Sequence, residues 1–452
     1  MKLKATDIST QLWGGILHSD NRGFYTSLEF FALAAGLDNE DLHHPERWKN
    51  LAGLNFKIPG HILARRFAFD PDEGPDADVA QKIDQSLVDV VRAIVRELKV
   101  EIPGTGKDGQ SWSGSHFVPY GAHLTHWDAR IRARRARIER IYFRGAGTLA
   151  LAILLSDEDD ERAIRSMTIL RDLLGREHFT GHVLKMFHDL EDPDYGIVEF
   201  SSAMKGERPQ LASLDTSLLE RATVKNDRWD ELLRECIHNI LVNESAPGVV
   251  RLDAIYHIIP LISSLMQLGR SSAYLAKDAL EFRQVNPYPI VVDCSPPDSR
   301  TNEVRQEAHR SFSSAQQHII ESFRRLAKSQ DVKLTSTQIK QFRSYFTRGA
   351  PAIGLLNAAT GIRRFVLGAG LLESLVLAMG DREVTFEHFV DHWLYERFGM
   401  IINARAARTH GLDQQADLSI FDDNARYLSE TLDELGLMQS YSDATRMVRY
   451  GF

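Results

Sequence analysis

The amino-acid sequence predicts a mainly helical protein built of several domains. Apolar residues recur three and four positions apart through most of the chain, which is the pattern of helices with one buried face, whereas alternating strand patterns are scarce. The 452 residues exceed what one compact core usually holds. Contents of 43% hydrophobic and 26% charged residues are typical of globular proteins and argue against a disordered or fibrous chain.

Helical periodicity is clearest in five segments. These segments are residues 83–100, 163–175, 227–243, 253–269 and 313–328. Pro260 lies in the fourth segment and is expected to kink or divide that helix, because proline has no backbone N–H to donate. Cys236 shares an apolar helical face with Leu232 and Ile240, which predicts a core position.

Stretches rich in proline, glycine and polar residues predict the domain boundaries. They divide the chain into an N-terminal helical domain (1–110), a central helical domain with an arginine-rich helix (111–284), a strand insert with a connecting helix (285–334) and a C-terminal helical region (335–452). The insert contains the clearest isolated strand pattern, over residues 289–294.

The last part of the chain shows a regular order of elements. In order, these are a helix capped by Thr385 and stopped by Gly399, a short strand over 400–402, a second helix capped by Asp422 or Asp423 and stopped by Gly436, and two strands around Ser442 and Asp443. A helix, a short strand, a helix and a hairpin in this order resemble a winged-helix module, over roughly the last 70 residues.

This resemblance implies a protein-docking module more than a DNA-reading one. Winged helices that read DNA place a helix with basic and amide side chains in the major groove. Here the second helix is dominated by carboxylates, which a phosphate backbone would repel. These are Asp422, Asp423, Glu430, Asp433 and Glu434, against Arg426.

A broader resemblance concerns residues 362–380 and 389–399. Their general style is similar to that of non-enzymatic subunits of bacterial multi-gene anti-phage defence systems. That likeness implies protein partners and assigns no role to any residue.

Residues 126–145 concentrate positive charge in a chain whose formal net charge is −8. This segment contains seven arginines and two acids, Asp128 and Glu139. Helical periodicity predicts an amphipathic helix with an arginine face, and guanidinium groups suit phosphate oxygens. The predicted nucleic-acid-binding residues are Arg130, Arg134, Arg137, Arg140 and Arg144.

Ion pairing is the alternative role for these arginines. Residues 156–162 carry five carboxylates that could neutralise the arginine face, and a protein partner could do the same. A pI near 6.1 argues against a general nucleic-acid coat but allows a local basic patch. A second basic set precedes the winged-helix-like region and comprises Lys333, Lys340, Arg343, Arg348, Arg363 and Arg364.

The nucleotide and zinc motifs are incomplete. The glycine-rich segment 101–108 lacks the first glycine and the final hydroxyl of a phosphate-binding P-loop. His388 and His392 are spaced like two zinc ligands on a helix, but periodicity places them on the solvent side without a third ligand.

Two further groups of polar residues are candidates for catalysis. His116, His123, His126 and Asp128 could supply metal ligands or a general base, although their spacing matches no ligand signature. Asp293 and Cys294 follow the predicted strand, but no partner base is visible.

The sequence therefore predicts a non-catalytic subunit of a multi-protein bacterial assembly, with anti-phage defence as one candidate setting. It docks protein partners and binds nucleic acid through the arginine-rich helix. Two alternatives stay open: a metal-dependent hydrolase or nuclease that uses His116, His123, His126 and Asp128, and a purely architectural scaffold. No cofactor is expected. The longest apolar run, residues 145–155, is shorter than a membrane span, which predicts a cytoplasmic protein without membrane contact.

Overall fold

A computed structural model gives the fold of most of the chain. It describes residues 3–19, 23–37, 39–49, 53–54, 128–132, 135–139, 145–176, 221–276, 286–296, 303–357, 362–380, 382–442 and 445–451. These residues are mainly helical with small sheets, which confirms the predicted fold class at that level. The predicted helix over 83–100 lies outside the described residues.

The helices and strands fall into two sets along the chain. The first set is α1 (Ala5–Trp13), α2 (Gly23–Gly36), α3 (Asn39–Leu42), a 3-10 turn (Pro45–Lys49), β1 (Asp128–Arg132), β2 (Arg135–Glu139), α4 (Ala146–Leu155), α5 (Asp160–Arg176), α6 (Arg228–Val242) and α7 (Gly248–Leu275). The second set is β3 (Ile290–Val291), α8 (Glu303–Ser329), α9 (Ser336–Ala352), α10 (Ala369–Leu377), β4 (Val384–Thr385), α11 (Phe386–His388) with its π-helical continuation (Phe389–Arg397), β5 (Met400–Ile401), α12 (Ala404–Thr409), a 3-10 turn (Leu412–Gln414), α13 (Ser419–Glu434), β6 (Met438–Ser442) and β7 (Thr445–Val448).

Helix α7 lies at the centre of the fold. It contacts α1, α2, α6, α8, α9 and α10, and its residues from Ala254 to Tyr256 and from Ile258 to Ser271 are buried. By length and composition α7 could cross a membrane, and it is the one such helix in the described part of the chain. Of its most apolar stretch, 72% is buried inside the protein, as expected for the core helix of a globular fold.

Pro260 does not divide α7, which is one continuous helix of 28 residues. A proline at this position removes the hydrogen bond to the carbonyl four residues earlier, that of Tyr256. The side chain of Ser27 on α2 supplies the missing donor, because its Oγ–H donates to the Tyr256 oxygen at 2.7 Å. Both residues are buried, so water cannot take over this role.

We expect Ser27→Ala to destabilise the protein by about 1–3 kcal/mol, because the Tyr256 carbonyl would be buried without a donor. In a Pro260→Ala background the new backbone N–H can donate to that carbonyl, so the same substitution should cost measurably less. Urea unfolding of the four variants measures both values. An equal cost of Ser27→Ala in the two backgrounds would show that the hydroxyl does not compensate for the proline.

Helix α4 is buried along its whole length, and a charged side chain from another helix binds each of its ends. At its N-terminus the buried Glu29 carboxylate accepts hydrogen bonds from the backbone N–H groups of Gly145 and Gly147, at 2.9 and 3.2 Å. At its C-terminus Arg234 donates from Nε to the Ile153 carbonyl at 2.9 Å. A carboxylate at the positive end and a guanidinium at the negative end both stabilise the helix dipole.

A buried charge cluster joins α1, α6 and α7. Arg270 on α7 donates from Nε to Asp227 at 2.8 Å and from Nη2 to Asp230 at 2.7 Å, and all three side chains are fully buried. Asp227 is also the N-cap of α6, where it accepts from the backbone N–H of Trp229. Arg270 further donates to the Trp13 carbonyl at the end of α1. The cluster therefore fixes the end of α1, the start of α6 and one side of α7 relative to one another.

The described part of the arginine-rich segment forms two paired strands and not the predicted helix. β1 and β2 pair antiparallel, with Ala129 opposite Ile138, Arg130 opposite Arg137, and Arg132 opposite Arg135. The physical reason is the alternation of small or apolar residues with arginines, which suits the two-residue period of a strand. The predicted helical arc therefore does not exist over β1 and β2.

The C-terminal strands form two small sheets. β6 and β7 form the predicted terminal hairpin, and β4 completes a sheet of order β4-β7-β6. β5 pairs parallel with β3 instead, which connects the strand insert to the C-terminal region. Thr385 caps α11 and Gly399 ends its π-helical continuation with a φ of 78°, as predicted.

The predicted N-cap of the second C-terminal helix is wrong. α13 begins at Ser419, three residues before Asp422. The carboxylate of Asp417 accepts the backbone N–H of Ser419 at 3.0 Å, so an acid nearer the helix start satisfies one terminal donor. The predicted stop is confirmed, because Gly436 has a φ of 67° immediately after the helix.

The larger of two hydrophobic clusters extends from Ala5 to Val448 through the described residues, and a smaller one joins β3, α8, β5, α12 and α13 around Phe421. The predicted boundaries at 110 and 284 lie outside those residues, and the boundary at 334 lies in the loop between α8 and α9. Both of these helices pack on α7. The four-part domain division stays a prediction.

Candidate nucleic-acid interface

Helix α8 packs one face on the core and exposes basic residues at its C-terminal end. Phe312, Ile319, Phe323 and Leu326 are buried at spacings of three, four and seven. Three basic side chains near the end of the helix are exposed: Arg324, Arg325 and Lys328. At about 100° per residue they lie within about 100° of arc on the helix surface.

The basic surface continues through the loop after α8 and along α9. Lys333 in the loop and Lys340 and Arg348 on α9 are exposed, and Arg343 is half-buried. The opposite face of α9 is anchored in the core by Phe342, Tyr345 and Phe346. We call the seven side chains the α8–α9 basic face: Arg324, Arg325, Lys328, Lys333, Lys340, Arg343 and Arg348.

None of these seven side chains forms an ion pair with a carboxylate among the described residues. Arg325 donates a long hydrogen bond, 3.4 Å, to the Leu275 carbonyl at the end of α7. Within the same described set, the buried Nε of Arg343 has no hydrogen-bond partner. The charges on the α8–α9 basic face are therefore available to a partner.

The charge balance of this region is opposite to that of the chain. Residues 324–372 hold nine lysines and arginines and one acid, Asp331, for a formal net charge of +8. Since the whole chain carries −8, the remaining residues carry −16. A concentrated positive field on an acidic protein is typical of a surface that attracts a polyanion.

Comparisons with known proteins do not identify the chain. No family model, curated protein sequence or solved structure matches it. Its function must therefore be inferred from its own side chains and their geometry.

The β1–β2 ribbon offers a second concentration of arginines. In an antiparallel pair, directly opposed residues share a face and alternate residues belong to opposite faces. The register therefore places positions 130, 132, 135 and 137, all arginine, on one face of the ribbon, together with the acidic positions 128 and 139 at its end. Positions 129, 131, 136 and 138, which are alanine or isoleucine, share the other face.

The structure covers only part of the predicted nucleic-acid site. Arg130 and Arg137 are directly opposed in the ribbon. Arg134, Arg140 and Arg144 lie outside the described residues, so their place in the site stays a prediction.

One carboxylate of the acidic segment 156–162 already pairs with an arginine of the same segment. Arg162 donates from Nη2 to Asp157 at 2.7 Å and from Nη1 to Glu231 on α6 at 2.8 Å. Burial alone would raise the pKa of Asp157, but hydrogen bonds from Arg162 and from the Asp159 backbone hold that pKa below its ordinary value. Asp157 therefore serves the contact between α5 and α6.

The candidate metal and catalytic residues show no assembled centre in the described part. The rings of His388 and His392 lie 4.6 Å apart on the outer side of their helix, and His392 pairs with Glu396 at 2.9 Å. No group of three potential ligands is placed to hold a metal ion among the described residues. His116, His123 and His126 lie outside those residues.

Asp293 and Cys294 follow β3, and the Asp293 carboxylate belongs to a charge cluster with two arginines. The buried Asp293 carboxylate accepts from Nε of Arg364 at 2.5 Å and lies 3.5 Å from Nε of Arg305 on α8. Burial raises the pKa of the Cys294 thiol, and the Asp293 charge raises it further. A thiol held protonated is a poor nucleophile.

Sequence reasoning found six of the nine basic residues in 324–372 but missed Arg324, Arg325 and Lys328. They lie in the segment 313–328, for which periodicity predicts only a helix with one buried face. The signal that could have found them is the excess of bases over residues 324–372, which hold nine lysines and arginines and one acid. A surface helix normally mixes both signs of charge, so such an excess indicates a function for the positive residues.

Proposed function

We propose that the protein is a non-catalytic subunit that binds nucleic acid through the α8–α9 basic face and docks protein partners through its acidic C-terminal region. One observation carries the nucleic-acid part: seven basic side chains on one helical hairpin lack a carboxylate partner among the described residues. Phosphate groups are the abundant cellular anions whose spacing suits such a row of cations.

The energetics favour an external partner over a structural role for these charges. Several arginines elsewhere pair with the protein's own carboxylates, as at Arg162, Arg270 and Arg364. Unpaired cations on one surface repel one another and lower stability slightly. Their repulsion is relieved when phosphates displace the surrounding counterions, which is the main source of affinity in nucleic-acid binding.

The arginine face of the β1–β2 ribbon supports the same function. A two-stranded ribbon is narrow enough to enter the major groove of DNA. Four arginine positions share one face of the ribbon with two acidic positions, so that face carries a net positive charge suited to phosphates. Of the predicted nucleic-acid-binding residues, Arg130 and Arg137 belong to this face.

Protein docking is proposed for the C-terminal region, whose element order supports a winged-helix-like relationship. Helix, short strand, helices and hairpin follow in that order. The third strand beside the hairpin is β4, whereas β5 pairs with β3. α13 exposes Asp422, Asp423, Glu430, Asp433 and Glu434. This acidic surface suits a basic protein partner and is unsuited to a phosphate backbone.

We expect Arg324→Gln, Lys340→Gln and Arg348→Gln together to weaken binding of a labelled DNA duplex by on the order of 10- to 100-fold at about 50 mM salt, because three phosphate contacts are lost. Fluorescence anisotropy measures the effect. All three side chains are exposed, so the fold should be preserved.

A matched control replaces three other exposed arginines with glutamine: Arg165, Arg382 and Arg408. It removes the same net charge from other surfaces and should change affinity by less than about threefold. If both triple variants bind equally well, the α8–α9 basic face is not the interface.

We also expect replacement of Arg130, Arg132, Arg135 and Arg137 by glutamine to lower duplex affinity, since the ribbon register gathers these positions on one face. Serine at Ala129 and Ala136, on the opposite face, should leave affinity unchanged in the same titration. Wild-type binding by the arginine variant would exclude the ribbon from the interface without affecting the α8–α9 assignment.

A further inference from the structure

The α8–α9 basic face contains no exposed aromatic side chain. Between residues 319 and 352, which the structure describes without a gap, four aromatic residues occur. All are at most 2% exposed: Phe323, Phe342, Tyr345 and Phe346. Proteins that bind single-stranded nucleic acid combine cations with aromatic rings on which the bases stack. This face supplies the cations alone.

The same aromatic residues hold the two helices rigidly on the core. Phe323 stacks on Trp13 of α1 with ring centroids 5.2 Å apart, and it packs against Phe342 of α9 at 4.8 Å. Side chains on such fixed helices form an array with set spacing, although each cation can still adjust its own rotamer. Lys340 and Arg348, eight residues apart on α9, are separated by about 12 Å along the helix axis.

The polar groups around the start of α9 include short hydroxyls. Thr335, Ser336 and Thr337, around the start of α9, are exposed. The amide group of Gln338 could read a base edge, but its oxygen already accepts the Thr335 backbone N–H in a capping box. When lysine, arginine and hydroxyl side chains contact phosphate and sugar, they position a nucleic acid without reading its sequence.

We infer that the α8–α9 basic face binds duplex nucleic acid through its phosphates, in preference to single strands and with little dependence on sequence. This inference rests on the proposed nucleic-acid function. A duplex presents one phosphate per roughly 1.7 Å of axis on a stiff frame, twice the linear charge density of one strand. A rigid cationic array matches that frame, whereas a flexible strand must be ordered on binding without any stacking to stabilise it.

The test compares nucleic acids on the full chain by fluorescence anisotropy at about 50 mM salt. The probes are a DNA duplex of about 20 base pairs, an RNA duplex of the same sequence, a second DNA duplex of scrambled sequence and each separated DNA strand. We expect at least tenfold tighter binding of a duplex than of its strands, and less than about threefold difference between the two DNA sequences. The relative affinities of the DNA and RNA duplexes show which kind of duplex is the partner.

The Arg324→Gln, Lys340→Gln, Arg348→Gln variant tests whether the α8–α9 basic face is responsible for the preference for duplexes over single strands. It should lose duplex affinity and bring duplex and single-strand affinities within about threefold of each other. Single strands bound as tightly as duplexes would overturn the inference and leave the proposed nucleic-acid function intact. Absence of binding to every probe would remove both. If polyglutamate displaces a bound duplex at equal charge concentration, the face is selective for acidic chains in general, and the duplex assignment is wrong.

Discussion

The fold depends most on one buried ion cluster, in which Arg270 of α7 meets Asp227 and Asp230 of α6. All three charges are fully buried, and each is satisfied by hydrogen bonds as well as by its counter-charge. Breaking such a set by removing one partner costs about 3–5 kcal/mol, a large part of the stability of an ordinary domain. Because Asp227 also caps α6 and Arg270 also holds the end of α1, the cluster sets the position of three helices around the core.

The protein uses its charges in two distinct ways. Inside and between helices, acids and bases pair at Arg270 and around Asp293, and backbone groups bind the charged side chains at both ends of α4. On the α8–α9 basic face the bases lack acids among the described residues, although the chain as a whole is acidic. A protein with a net charge of −8 could neutralise that face with its own carboxylates, yet residues 324–372 contain one acid, Asp331, and no carboxylate pairs with the face among the described residues. This separation of charge is the physical basis for an external anionic partner.

The sequence predicts helices well where apolar spacing is regular and fails where two periods compete. α6, α7 and α8, and the buried side of α11 with its continuation, follow from three-and-four spacing and from caps such as Thr385. The arginine-rich segment supports a helical wheel and a two-residue alternation equally, and only the pairing of β1 with β2 decides between them. The continuity of α7 through Pro260 depends on Ser27, which is 233 positions earlier in the chain and gives no local signal. The α8–α9 basic face is indicated in the sequence by the excess of bases over residues 324–372, but only the helical hairpin brings its two halves together.

The dependence of duplex affinity on salt tests the account most directly, since phosphate contacts release counterions in proportion to their number. Each contact contributes a slope of about −0.9 to a plot of log association constant against log salt concentration. Between about 50 and 200 mM potassium chloride, five or more contacts on the α8–α9 basic face give a slope of about −4.5 or steeper. A wild-type slope shallower than about −1 would contradict the account, because the cations of that face would then contact no phosphate.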